Sequence, residues 1–97
     1  MVEHIVLFKF SEATTSDQKD EAISQAKQLA NHIDGILDIQ MGYNFSERSK
    51  GYELGLTVRF VNKEALEIYG PHPKHQEYVQ FLKAIGIVDI LALDFEI

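Results

Sequence analysis

The chain has 97 residues, 45% of them hydrophobic and 25% charged, which fits one compact domain over residues 1–97 and leaves no room for a second. Its net charge of −6, with no cluster of Lys and Arg, argues against nucleic acid or an anionic membrane surface as the partner. The absence of cysteine excludes a disulfide framework, a thiolate nucleophile and a Cys-based zinc site.

Val2 to Phe10 alternates on both parities, with His4, Val6, Phe8 and Phe10 on one side and Ile5 and Leu7 on the other, as in a strand covered on both faces. Glu3, His4 and Lys9 interrupt this stretch, so it has no signal-peptide pattern, and no apolar run approaches the ~20 residues of a membrane helix. A cytoplasmic protein is expected. Thr15 with Gln18 three residues on reads as a capping box, and Ala22, Ala26, Leu29, Ala30 and Ile33 form the apolar stripe of a first helix ending near Gly35. Ile39, Met41 and Tyr43 alternate through a second strand. A polar stretch from Ser46 to Gly51 favours a turn, and Tyr52, Leu54, Leu56, Val58 and Phe60 alternate through a third strand. Asn62 is a good N-cap for a short helix through Tyr69, the Gly70-Pro71 pair interrupts it, and a second helical segment runs from Pro73 to about Ala84. Val88 to Phe95 is the last strand, with Val88, Ile90 and Ala92 opposite Leu91, Leu93 and Phe95.

The order strand, helix, strand, strand, helix, strand predicts an α+β, ferredoxin-like βαββαβ fold, with an antiparallel sheet and both helices on one face. Ile5, Leu7 and one apolar row of the last strand then lie on the uncovered face. A two-fold homodimer, sheet against sheet, would bury them. Across this face the third strand carries Glu53, Gly55, Thr57 and Arg59, so such an interface is part polar.

The densest chemistry lies in Tyr69-Gly70-Pro71-His72-Pro73-Lys74-His75. His75, Tyr78, Val79 and Leu82 fall at i, i+3, i+4 and i+7, so His75 points inward from the first turn of the last helix, where the helix dipole favours neutral imidazole. His72 precedes Pro73 and is read as orienting the turn or capping the helix. As a metal pair, His72 and His75 are a weak signal without Cys or an acidic partner in register. His32 falls on the polar face of the first helix, and Glu64 and Glu67 on a solvated face of the short one.

His4-Ile5-Val6-Leu7-Phe8-Lys9-Phe10, Gly42, Gly51-Tyr52, Tyr69 with His72-Pro73-Lys74-His75, and the closing Leu93-Asp94-Phe95 together resemble the dimeric α/β-barrel family, also called the stress-responsive A/B barrel or Dabb domain. The resemblance spans the whole chain. It implies a ferredoxin-like protomer whose sheet closes a barrel with that of a second copy. The family includes stress proteins without a clear reaction and a plant polyketide cyclase that closes a poly-β-keto chain by cofactor-free aldol condensation. On that likeness Tyr69, His75 and His4 take the positions of the cyclase's working residues, while Leu54 stands where the cyclase has a further pocket histidine. Ala22, Ala26 and Ala30 leave smaller side chains on the first helix.

In the catalytic reading His75 is a general base toward a carbon acidified by neighbouring carbonyls. Tyr69 donates to the developing enolate oxygen, and His4 meets them across a pocket touching Val6, Phe8, Leu54, Leu56, Val79 and His72. No cofactor or metal is called for. The alternatives are a non-catalytic stress or assembly protein, in which the same residues stabilise the helix break, and a cofactor-free monooxygenase. A cavity lined by Tyr69, His75, His4 and Leu54 would favour a ligand, and a filled core would favour assembly.

Overall fold

The structure, a computed structural model, describes residues 1–97. Its elements in chain order are β1 (Val2–Phe10), α1 (Ser16–Gln28), a 3-10 turn (Leu29–Asn31), β2 (Ile36–Tyr43), β3 (Leu54–Phe60), α2 (Lys63–Tyr69), α3 (Pro73–Ile85) and β4 (Ile87–Glu96). The four strands form one antiparallel sheet in the order β2-β3-β1-β4. This is the ferredoxin-like arrangement expected from the sequence. No helix is long and apolar enough to cross a membrane.

The period-2 alternation decides which side chains meet the helices. Val2, Val6, Phe8 and Phe10 of β1, Ile39 and Met41 of β2, and Leu54, Leu56, Val58 and Phe60 of β3 are buried with Ala22, Ala26, Ala65, Tyr69, Tyr78 and Leu82 from the helices. Ala22 and Ala26 are fully buried, so the small side chains of α1 let that helix settle close on the sheet. The capping box forms as read, with Gln18 N–H donating to the Thr15 hydroxyl at 3.2 Å and Thr15 N–H donating to Gln18 Oε1 at 2.9 Å. Tyr43 at the end of β2 is tied to α1 by its hydroxyl, which donates to Asp20 at 2.6 Å.

Several expectations are corrected. Ala30 is exposed, because the chain tightens into a 3-10 turn at Leu29–Asn31. Three residues per turn swing Ala30 off the stripe while Leu29 and Ile33 stay inside. β2 begins at Ile36, three residues before the first alternating residue. Tyr52 is outside β3, since its N–H is taken by Ser49 O at 3.1 Å in the preceding turn. In β4 both rows are exposed, where only the outer one was expected to be bare. Ile90 and Ala92 pair with Phe8 and Val6 and so face the helix side, yet both are exposed.

The turn from α3 into β4 depends on Gly86, which ends α3 in the left-handed conformation at φ 108°. Beside it the buried Thr14 hydroxyl donates to Ile85 O at 2.6 Å, and a Cβ at position 86 would stand 2.7 Å from that hydroxyl oxygen. Gly86→Ala therefore incurs both a strained φ and a clash, with an expected loss of about 1–3 kcal/mol, read from the midpoint of urea unfolding.

Candidate functional site

The site is made by a forced interruption between two helices. Asn62 starts α2, its side chain accepting from Ala65 N–H at 2.9 Å. Pro71 has no N–H to continue the ladder. The chain turns instead, His72 N–H reaching Tyr69 O at 3.2 Å. His72 then caps α3, its Nδ1 accepting from Lys74 N–H at 3.1 Å, with Pro73 in the first helical turn. Tyr69 is thus the last residue of α2, 2% exposed, and His75 lies in the first turn of α3, half-buried.

Their rings meet with centroids 4.2 Å apart. His4, reaching up from β1, has its ring centroid 6.0 Å from Tyr69, edge to face, and Phe60 lies 5.1 Å from Tyr69 and 6.2 Å from His4. His4, Tyr69 and His75 therefore form one cluster between the sheet and the helix break.

Hydrogen bonding fixes the proton on one imidazole. His75 Nδ1 lies 2.9 Å from Gly70 O. A carbonyl can only accept, so Nδ1 carries the hydrogen and the Nε2 lone pair of the neutral ring is free. Burial lowers the His75 pKa, with positive charge on His4 or His72 acting the same way, and only the bond to Gly70 opposes it. The ring is held as a base. Burial alone pushes the Tyr69 phenol well above its usual value, which keeps it protonated as a hydrogen-bond donor. Tyr78 is buried too, but its hydroxyl is spent in the core on Ala22 O at 2.9 Å. Tyr69 makes no comparable bond.

One neighbour was not singled out as a site residue. His4 Nδ1 is hydrogen-bonded to an Asp94 carboxylate oxygen, and the carboxylate accepts, so its charge faces the imidazole. His4 and Asp94 are register partners across β1 and β4. Pairing the first and last strands of the chain antiparallel from the sequence would have placed them opposite each other on one face.

The pocket contacts fall differently from the cluster. Val6, Phe8, Leu54 and Leu56 are buried in the packed core, Val79 is half-buried, and His72 serves as the α3 cap. None of the four hollows in the chain is lined by His4, Tyr69 or His75. A hollow of about 350 Å³ beside α2 is bounded by Val2, Leu66 and Asp94, and another of about 440 Å³ by Ala65, Ile68 and His72. No three His, Asp or Glu side chains converge at metal-ligand spacing.

One antiparallel four-stranded sheet in the order β2-β3-β1-β4, with the helices on one face, places the chain among the ferredoxin-like α+β proteins. The chain belongs to the stress responsive A/B barrel domain family, whose pattern it matches over residues 2–97. It is 30% identical over 76 residues to olivetolic acid cyclase of Cannabis sativa, spanning 76% of this chain and 75% of the relative. The crystal structure of At3g17210 from Arabidopsis thaliana superposes with a TM-score of 0.90 at 24% identity, over 99% of this chain and 94% of that one. A dimeric ferredoxin-like protein of unknown function from Jannaschia is 29% identical with a TM-score of 0.82, over 99% of this chain and 98% of that one.

The lowered pKa of His75 has a consequence for stability. A ring whose folded pKa lies below the ordinary 6.5 stabilises the fold fully above that pH, and the contribution is lost as pH falls toward the folded value. Wild-type stability in urea should therefore drop more steeply below pH 6.5 than that of His75→Gln, and the His75 ring protons should titrate below the ordinary range by NMR.

Proposed function

We propose that this chain is a homodimeric α/β barrel that binds a small keto compound and performs cofactor-free acid–base chemistry on it, of the cyclising, aldol or isomerising kind. The observation that carries the reading is the Tyr69–His75 pair at 4.2 Å, with the His75 Nε2 lone pair left free by the bond from Nδ1 to Gly70. His75 removes a proton from a carbon flanked by carbonyls, and the Tyr69 hydroxyl donates to the enolate oxygen as charge develops there. His4, whose Nδ1 donates to Asp94, accepts from a substrate hydroxyl through Nε2 when neutral and donates to a second oxygen only as an imidazolium. Val79 and His72 flank the pair from α3, while Val6, Phe8, Leu54 and Leu56 remain in the packed core beneath the helices. The hollow at Val2, Leu66 and Asp94 supplies the route in. The likeness to olivetolic acid cyclase, a cyclase by name, supports this chemistry. The dimeric state of the Jannaschia protein supports the homodimer.

A second reading, a non-catalytic assembly or stress protein, draws on one observation: no hollow opens directly onto the three rings. In that reading Tyr69 and His75 only lock the helix break. The two readings part in a screen of keto acids and polyketide mimics for ligands that raise the melting temperature, followed by turnover assays on the hits. The catalytic reading expects turnover that His75→Ala lowers by at least ~10²-fold and that Tyr69→Phe also lowers by ~10²-fold, with circular dichroism unchanged. Full turnover in His75→Ala sinks the base assignment, and a protein that neither binds nor converts any of these compounds favours the assembly reading.

A further inference from the structure

The hollow at Val2, Leu66 and Asp94 carries a charge pattern that the acid–base step does not itself require. Lys63, Leu66 and Glu67 fall at i, i+3 and i+4 on α2 and so share one face of that helix. Asp94 and Glu96, two apart on β4, pair with His4 and Val2 and share the helix side of the sheet. The two rows bound an opening of about 350 Å³, whose rim holds three carboxylates, Glu67, Asp94 and Glu96, against the single ammonium of Lys63.

Asp94 accepts from His4, and Glu96 lies 3.0 Å from Lys63 Nζ, while Glu67 pairs with no cation. The Lys63–Glu96 pair is exposed at both ends, 67% and 64%, so water screens it and it opens at little cost. Opening it gives an incoming carboxylate no advantage, because the displaced Glu96 stays beside the same ammonium and one negative charge has only replaced another. The ring cluster behind the rim supplies no further cation. His75 is held as a neutral base and Tyr69 as an un-ionised phenol, and the His4 ring already faces a carboxylate. A carboxylate carried in to the rings would lose its water without gaining a partner, after crossing a rim that repels it. The net charge of the chain, −6, adds to that field.

We propose that the site takes a keto compound that is uncharged along the part that enters, such as a ketone, ester or amide, and turns away the matching free keto acid. Glu67 and Glu96 are the residues that set this specificity, and Lys63 limits the repulsion. The inference rests on the proposed function and names the substrate class for the same site.

Succinylacetone is a suitable probe, since its carboxylate stands away from the carbon between its two ketone carbonyls, and its methyl ester differs only by that charge and one methyl group. Isothermal titration calorimetry on the full chain at neutral pH reads both dissociation constants. In about 0.01 M salt, where charges act over about 30 Å, wild type should bind the ester at least about tenfold more tightly than the acid. The methyl group contributes to that ratio at any salt, so the charge is read from the changes in it. The ratio should fall at least about threefold in about 1 M salt, and at least about threefold in Glu67→Gln and in Glu96→Gln, whereas Lys63→Gln should raise it. An acid bound as tightly as its ester, or a ratio that neither salt nor these substitutions move, overturns the inference and leaves the small-molecule site standing. Wild type that binds neither compound overturns the inference together with the reading it rests on.

Discussion

The carbonyl of Gly70 is the hinge of the site. A helix end leaves its last carbonyls without intrahelical partners, and here Pro71 guarantees that α2 ends, because it has no N–H to offer. The freed Gly70 oxygen is taken by two side chains from the next helix, His75 Nδ1 at 2.9 Å and Gln76 Nε2 at 2.7 Å. The bond that satisfies an orphaned backbone group is thus the bond that fixes the imidazole tautomer and orients its ring against Tyr69. Structural and chemical demands coincide at one atom, and for that reason a helix break carries the densest arrangement of polar rings in the chain.

The width of the sheet sets the second constraint. The helix-side residues of β1, β2 and β3 are buried under the single layer of helices, whereas those of β4 are exposed. The strand left over is β4, at the sheet edge and bare on both faces. Its sequence, Ile87-Val88-Asp89-Ile90-Leu91-Ala92-Leu93-Asp94-Phe95-Glu96, is apolar on both parities, a pattern that belongs to a strand covered from both sides. Taken as a lone protomer, the chain leaves that pattern unfulfilled.

Legibility in the sequence followed the range of the interactions. The Thr15–Gln18 capping box, the Asn62 cap, the Pro73 helix start and the strict alternation of β3 act within a few residues and were readable directly. So was the inward aim of His75, because i, i+3, i+4 spacing fixes a helix face. Ala30 was misplaced because a switch from α to 3-10 geometry leaves no mark in the hydrophobic pattern. The His4–Asp94 contact spans ninety positions and exists only through strand register, which the sequence fixes by pairing rather than by local composition. The closed packing around Leu54 and Leu56 was hidden for a related reason: composition shows which side chains face inward, but not whether they fill the space they face.

β4 ties the two halves of the molecule together. Successive residues of a strand point to opposite faces, so Asp94, which holds His4 on the helix side, is flanked by Leu93 and Phe95, which point to the outer side. β4 is paired to β1 from Val2 opposite Glu96 to Phe10 opposite Ile87, and the Asp94 carboxylate is half exposed. The outer apolar row and the carboxylate that orients His4 therefore sit on opposite faces of one strand, although the two surfaces share no side chain.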